Sequence, residues 1–254
     1  MCLILAVWRV HPDFPLILAA NRDEYHHRPA AAAGWWSDDP HVLAGRDLLA
    51  GGTWLGVNRS GAFAALTNFR GAPVRPPPTP SRGELVAGLL GRAAPVADAL
   101  HTLGRIAPHY NAFNLLYSDG ERLGVHESER HAGRVLEPGI YGLSNHLLDT
   151  PWPKVLKAKS RLAAALEDLP HTHRILELLR DEQPAADEEL PRTGVSLEWE
   201  RLLSSAFIRS AEYGTRCSTV ITRSRGGAIA FDEWSWDREG AQAGHVAWRF
   251  SVDR

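Results

Sequence analysis

The 254-residue chain is long enough to bury a substantial core in one large domain. Its 28 basic and 30 acidic side chains give a formal net charge of −2, and this near balance argues against a nucleic-acid-binding or membrane-surface protein. Two cysteines are too few for a disulfide scaffold, which favours a reducing compartment. No stretch approaches the roughly 18 apolar residues that span a bilayer, and the first residues lack the basic region of a signal peptide. We therefore expect a cytoplasmic protein without stable membrane insertion.

The first predicted element is an antiparallel hairpin that returns to the N-terminus. Two apolar runs, "CLILAVWRV" and "PLILAA", flank the polar connection "HPDF". If Val10 pairs with Pro15, Cys2 lies opposite Asp23, and "NRDEY" comes back to the first residues. Neither run alternates apolar with polar residues, which predicts that both faces of this sheet are covered.

A second hairpin is predicted at Thr53–Val57 and Ala62–Thr67, with "NRSG" as its turn. Its far end brings Asn68 near Gly51 and Gly52, where the missing side chains permit a close approach of the backbone.

Capping residues and apolar spacing predict helices in two blocks. They begin at the capping-box pair Ser81 and Glu84, cover Val96–Ile106, follow the apolar stripes from Val155 to Leu169 and from Ile175 to Leu179, and span Leu197–Phe207. Further strands are predicted in "NAFNLLYSDGERLGVHES", "GIYGL", "TRCSTVITRS", "GAIAFDEWSW" and "HVAWRFSV". This order predicts one α+β domain, residues 1–254, in which two stacked, mainly antiparallel sheets are flanked by helices.

Cys2 has three interpretations. It is a small core residue, a nucleophile exposed when the initiator methionine is removed, or a lipidated residue, and the last fits less well because the flanking run suits a buried strand better than an exposed anchor. Removal would place a thiol and a free α-amine on one residue, and an amine with a pKa of about 7.7–8.0 can accept the thiol proton.

The predicted hairpin delivers charged side chains to the same sheet edge as Cys2. The carboxylate of Asp23 could orient an ammonium group, and Arg22 could favour a thiolate or bind an acidic group of a substrate. The alternative is a solvated, charged turn at the end of a strand.

Other side chains give weaker indications. Trp35 and Trp36 either line a pocket for a flat or apolar ligand or pack over the sheet, and Cys217 is predicted to be a core residue. No metal site is predicted, because no cysteine or carboxylate stands at a recognised ligand spacing beside the histidines His26, His27, His41, His171 and His173.

Five motifs in order carry a resemblance that extends over essentially the whole chain. "MC", "NRDE", "TWLGVNRSGAFAALTNFR", "GLSN" and "GTRCSTVIT" resemble the NRDE family, the transport and Golgi organisation type two proteins. This resemblance implies the N-terminal nucleophile hydrolase fold, a four-layer αββα sandwich. More distantly, the motif order is similar to choloylglycine hydrolases and penicillin acylases, which are cysteine enzymes that cleave amides.

The resemblance to those acylases implies roles for individual residues. Cys2 matches their nucleophile, Asp23 the aspartate that contacts it, and Arg216 an arginine of a C-terminal strand. Asn68 matches the oxyanion region, and Asn145 matches an asparagine that contributes its side-chain amide. The acylases carry an arginine three residues before their aspartate, where this chain has Ala20, whereas Arg22 stands one residue before Asp23.

The resemblance implies an amidohydrolase or acyl transferase acting on an amide or thioester of a small molecule, without a metal or organic cofactor. The alternative is a non-catalytic protein of the same fold that binds and traffics haem or an acyl chain. The sequence leaves the substrate and the oligomeric state open.

Overall fold

The computed structural model describes residues 2–252. The strands in this range are β1 (Cys2–Trp8), β2 (Leu16–Tyr25), β3 (Ala30–Trp35), β4 (Val42–Asp47), β5 (Leu55–Asn58), β6 (Phe63–Asn68), β7 (Phe113–Ser118), β8 (Leu123–Glu127), β9 (Ala132–Leu136), β10 (Gly139–Leu143), β11 (Tyr213–Arg223), β12 (Ala228–Trp236) and β13 (Gln242–Ser251). The helices are α1 (Gly83–Arg92), α2 (Val96–Ile106), α3 (Pro153–Ala165), α4 (His173–Leu179) and α5 (Leu197–Leu202).

All pairings between these strands are antiparallel, and they form two sheets. The first sheet has six strands in the order β10-β1-β2-β11-β12-β13, and the second has seven in the order β3-β4-β5-β6-β7-β8-β9. Within residues 2–252, none of the helices combines the length and the apolar character needed to cross a membrane.

Apolar side chains fill three interfaces between four layers. The core between the sheets contains Ile4, Leu18, Phe63 and Phe231. Helices α1 and α2 cover the outer face of the second sheet through Val86, Leu90, Leu100 and Leu103. Helices α3 and α4 cover the outer face of the first sheet through Val155, Leu162, Ile175 and Leu179. This arrangement is the expected αββα sandwich, so the prediction of the fold is confirmed.

The register of the first hairpin differs from the prediction by one residue. Trp8 pairs with Leu16 and Cys2 with Arg22, so Cys2 does not lie opposite Asp23. The pairing of β1 with β2 is offset by one residue because Arg9 adopts a left-handed conformation (φ 53°). In this conformation its backbone N–H donates to the carbonyl of Pro15 at 2.8 Å. Successive side chains alternate between the faces of a strand, so Cys2 and Arg22 face the second sheet, whereas Asp23 lies on the face that packs against helices.

Most other predicted elements are present, with three differences. Helix α1 begins without the predicted capping box: the hydroxyl of Tyr110 donates to Glu84 at 2.5 Å, and Arg82 occupies the N-cap without a side-chain cap. Ser196 does cap α5 by accepting from the Trp199 N–H at 3.3 Å, but that helix ends at Leu202 rather than Phe207. The sequence did not predict strands β3, β4 and β9.

Two glycines bring the start of α1 against the loop before β5. A Cβ on Gly52 would lie 2.5 Å from the carbonyl carbon and 2.7 Å from the carbonyl oxygen of Gly83. The N–H of Thr53 donates to that same oxygen at 3.2 Å. This close approach of two backbones holds the residue before Gly83, Arg82, at the opening between the sheets.

We expect Gly52→Ala to lower the free energy of unfolding by about 1–3 kcal/mol, because the new methyl group collides with backbone that cannot rotate away. Gly88→Ala is the matched control. It lies on the exposed face of α1, where a Cβ meets nothing within 4 Å, and should stabilise the protein by about 0.5–1 kcal/mol. Urea unfolding of both variants measures the difference, and an unchanged midpoint for Gly52→Ala would contradict the close contact.

Candidate active site

A cavity of about 580 Å³ opens between the two sheets, beside the start of β1, the end of β2 and the start of β11. Its lining brings together residues that are far apart in the sequence. Five of the residues predicted as functional line it: Cys2, Arg22, Asp23, Asn68 and Arg216. Among the lining residues that the sequence did not single out are Glu24, Arg28, Arg46, Asp47, Arg82 and Glu233.

Cys2 lies at the start of a central strand with only 8% of its surface exposed. The hydroxyl of Ser144 donates to the Cys2 carbonyl at 3.2 Å and fixes the backbone there. Burial raises the pKa of the Cys2 thiol above its ordinary value, because a thiolate is poorly solvated in this position. The thiol therefore needs a nearby base to become a nucleophile near neutral pH.

Asp23 is held by two hydroxyl groups from β11. Thr215 donates its hydroxyl to Oδ1 at 2.7 Å, and the hydroxyl of Tyr213 donates to the Asp23 carbonyl at 2.9 Å. Burial raises the pKa of the carboxyl, while the positive charge of Lys154 and the Thr215 hydrogen bond act in the opposite direction. The aspartate is thus rigidly placed beside the N-terminal strand.

Lys154 is a functional candidate that the sequence analysis missed. It lies at the start of α3, is 5% exposed and donates Nζ to the carbonyl of Leu203 at 2.8 Å. Burial lowers its pKa to about 8, and the negative charge of Asp23 opposes that change. The available signal was that the three lysines of this chain all fall within residues 154–159, on one helix.

Asn68 and Asn145 are in contact, but only Asn68 lines the cavity. The side-chain amide of Asn145 donates to the carbonyl of Asn68 at 2.9 Å, and the Asn145 carbonyl accepts the N–H of Arg70 at 2.7 Å. Asn145 is completely buried. Asn145 therefore lies behind Asn68 and holds the end of β6 in place, and direct donation from its amide to a substrate stays a prediction.

Arg216 reaches the cavity from a β-bulge between Thr215 and Cys217, where the ladder between β11 and β2 shifts register. One terminal nitrogen donates to the carbonyls of Tyr25, His26 and Arg28 at 3.0, 3.1 and 3.3 Å. Its Nε is buried and has no hydrogen-bond partner among residues 2–252. Burial lowers the pKa of the guanidinium, as does the neighbouring positive charge of Arg22.

Arg22 separates two thiols on the same face of the sheet. Cys2 and Cys217 each pair with Arg22 across neighbouring strands, and both cysteines are free. Cys217 is buried, as predicted for a core residue, yet it also lines the cavity. Burial raises the pKa of Cys217 and of the adjacent Glu233, whose Oε1 accepts the N–H of Ala33 at 2.8 Å.

Trp35 and Trp36 are not among the residues that line the cavity. The ring of Trp35 packs edge-on against Phe250 at 5.0 Å, and the indole N–H of Trp36 donates to the carbonyl of Ala44 at 3.1 Å. Both tryptophans therefore pack within the protein, as in the packing alternative, and we assign neither of them a binding role in this cavity. The tryptophans that do line it, Trp54 and Trp236, come from other segments.

Among the residues that the structure describes, the possible metal ligands form none of the usual coordination clusters. No cluster of three or more His, Cys, Asp or Glu side chains within residues 2–252 is arranged to hold an ion. The expectation that the site needs no metal stays a prediction.

Comparison with known proteins places this architecture in a family. The family model described as Transport and Golgi organisation 2 matches residues 1–238. The Transport and Golgi organization protein 2 homolog of Bos taurus is 38% identical over 263 residues, covering 92% of this chain and 93% of that protein. The Homo sapiens homolog is 33% identical over 257 residues, with coverage of 92% and 93%.

The fold is also found in a solved structure. A mutant conjugated bile acid hydrolase from Clostridium perfringens is similar with a TM-score of 0.53, covering 99% of this chain and 92% of that one at 10% identity. At this identity the similarity concerns the fold alone, which is that of the N-terminal nucleophile hydrolases. Together, the family model and the full-length relatives establish that the chain belongs to the Transport and Golgi organisation 2 family.

Proposed function

We propose that this protein is a cysteine N-terminal nucleophile hydrolase that cleaves an amide or thioester bond of a small molecule. The observation that carries the proposal is the position of Cys2: it lines the same cavity as Asp23, Asn68 and Arg216, at the start of a central strand. In the proposal, Cys2 is the nucleophile, Asn68 an amide donor and Arg216 a cation at a space that can hold a substrate, and the Asp23 carboxylate lies on the other face of the same sheet edge.

The proposed reaction begins once the initiator methionine has been removed. The α-amine of Cys2 takes the thiol proton, and the sulfur bonds to the carbonyl carbon of the substrate. As the tetrahedral intermediate collapses, the bond from that carbon to nitrogen breaks, and the ammonium returns its proton to the leaving amine. Water then cleaves the acyl-thioester, with the amine again acting as base, and releases the acid.

Neighbouring residues support this sequence of steps. Asp23 orients the amine, and Lys154 favours the ionised form of Asp23 because it is a cation buried nearby. Asn68 donates to the developing oxyanion, Asn145 positions Asn68, and the charge of Arg216 stabilises negative charge in the cavity. No step requires a metal or an organic cofactor.

The first prediction concerns the covalent intermediate. After methionine removal, a panel of acyl thioesters and N-acyl amides should include a compound that adds its acyl mass to the Cys2 peptide. Cys2→Ala should lose the adduct completely, whereas Cys217→Ala should keep it, since Cys217 lies beyond Arg22 and has no adjacent amine. Intact-mass and peptide mass spectrometry measure both.

The same experiment includes protein that retains Met1, in which the amine of Cys2 is tied up in a peptide bond. Turnover by this form at the rate of the processed form would rule out the α-amine as base. If no compound acylates the processed protein, while Cys2→Ala binds ligands as tightly as the wild type, catalysis is rejected.

The second prediction concerns the pH profile of the reactive compound. Lys154→Met removes a positive charge that lowers the pKa of Asp23, so that pKa rises and the acid limb of kcat/KM should move to higher pH. Lys157→Met is the matched control, because this exposed lysine on the same helix pairs with Asp181 at 2.6 Å. A profile of Lys154→Met that coincides with that of Lys157→Met would contradict the role of Lys154.

The third prediction separates Asn68 from a nearby amide. We expect Asn68→Ala to lower kcat by about 10²–10³-fold with little change in KM, since its donor acts mainly in the transition state. Asn111→Ala is the control: Asn111 also lines the cavity, but its Oδ1 accepts the N–H of Arg75 at 2.7 Å. Equal losses of kcat in the two variants would argue against an oxyanion role for Asn68.

A second candidate function is binding and transport without turnover. Two observations favour it: the pKa of the Cys2 thiol is raised by burial, and the relatives are named for transport and Golgi organisation. An acyl chain suits this cavity better than haem. The described lining residues include Cys2 and Cys217 but no histidine, and burial disfavours the thiolate form that would bind haem iron.

A further inference from the structure

Five arginines line the cavity, and three of them are neutralised by carboxylates. Arg22 and Arg28 share Asp47, at 3.6 and 2.6 Å. Arg46 binds both oxygens of Asp38 at 2.6 Å. The positive charges of these three arginines are therefore largely compensated by carboxylates of the protein itself.

The other two, Arg82 and Arg216, are held by backbone carbonyls alone. Arg82 donates to the carbonyl of Ala112 at 2.9 Å, and Arg216 binds three carbonyls through one terminal nitrogen. No carboxylate of residues 2–252 lies within 4.0 Å of either guanidinium. Carbonyls fix the position of a guanidinium without forming an ion pair, and the negative charge of Glu24 acts on both arginines from beyond 4.0 Å.

Arg82 lines the same cavity as Cys2. Burial lowers the pKa of its guanidinium, while negative charge on Cys2 and on Glu24 acts to raise it. Arg82 enters from the start of α1 and Arg216 from β11, which places the two cations on different walls of the cavity.

We propose that the substrate of this cavity carries an anionic oxygen group, a carboxylate or a phosphate, which Arg82 and Arg216 bind beside Cys2. The inference deepens the proposed function, and rests on it, by naming the charge class of the substrate. A guanidinium offers two parallel N–H donors that match either anion, and the buried Nε of Arg216 supplies a donor that no described residue uses. A neutral substrate would leave both guanidinium groups without an anionic oxygen group in direct contact.

The test uses two thiol reagents that differ in charge and little in size, iodoacetate and iodoacetamide. Each forms a bond from the thiol sulfur to its methylene carbon, releases iodide and leaves the thiol proton to the buffer. The ratio of the two rates at Cys2, measured by peptide mass spectrometry, is divided by the ratio for N-acetylcysteine amide in solution. We expect this normalised ratio to be about tenfold or more above one, the effect of one charge-assisted hydrogen bond.

Variants assign the preference to the two arginines. Arg82→Gln and Arg216→Gln should each lower the normalised ratio about tenfold, while Arg82→Lys keeps part of it by retaining the charge. Arg92→Gln, an exposed arginine at the other end of α1, should leave the ratio unchanged. Should a glutamine variant fail to fold, the wild-type ratio and Arg82→Lys still decide the result.

Protection by acetate and by inorganic phosphate distinguishes the two anions. Slower alkylation of Cys2 in either salt, relative to chloride at equal ionic strength, supports the proposal and identifies the preferred group. A normalised ratio of one in the wild type, or a high ratio that neither arginine variant changes, overturns it. The alkylation measurement requires no turnover of a substrate. If the protein is inactive but its normalised ratio is high, the hydrolase proposal fails and the anion-binding proposal stands.

Discussion

The pairing of β1 with β2 is the constraint on which the site depends. Cys2, Arg22 and Cys217 are aligned across three neighbouring strands, and alternation turns all three toward the space between the sheets. Asn21 and Asp23 consequently face the helices, where the Asn21 amide binds the carbonyls of Leu179 and Ala206 at 2.7 and 2.8 Å. A shift of one residue would exchange these two sets of side chains. The first residue of the strand thus lies between a cavity on one face and a buried carboxylate on the other.

The two sides of this strand differ in how their charges are balanced. On the helix side, Arg70 and Glu200 form a buried ion pair at 2.9 Å, and Lys154 lies near Asp23, so two cations accompany two anions. Buried charges are costly unless they are compensated in this way. On the cavity side, carboxylates compensate only part of the arginine charge. The helix side therefore carries paired charges, whereas on the cavity side no carboxylate of residues 2–252 lies within 4.0 Å of Arg82 or Arg216.

The sequence predicted the parts of the fold that local patterns determine. Continuous apolar runs gave the central strands, turn residues gave two hairpins, and helix α2 has the bounds that were expected. Strand β3 was missed because "AAAAGW" has a weak strand preference and three exposed residues, and it forms only by pairing with β4. The hairpin register was also missed, because it depends on the conformation of Arg9, which no residue pattern indicates.

The residues of the candidate site also divide into those that the sequence indicated and those that it missed. Motif resemblance indicated Cys2, Asp23, Asn68 and Arg216, and the structure places all four around one cavity. Arg82 is also brought there, by packing between segments distant in sequence. Glu233 comes to the cavity from a C-terminal strand and Lys154 approaches Asp23 from a helix; the clustering of the three lysines was the one local signal for Lys154, and no local spacing indicated Glu233. Asn145 was matched to a direct donor, although its actual contact is with the backbone that precedes the site.

Burial of the thiol connects these features to the chemistry at the N-terminus. A thiolate in this cavity gains from the positive charge of Arg22, yet burial has the larger effect and keeps the pKa of Cys2 raised. A base on the same residue solves this problem, because transfer from sulfur to nitrogen creates two adjacent opposite charges instead of one isolated anion. A peptide bond to a preceding residue removes that base, since an amide nitrogen does not accept the proton. The cavity and its arginines do not depend on that bond, so under the proposed mechanism we expect the same fold to bind a ligand in either form and to cleave it in only one.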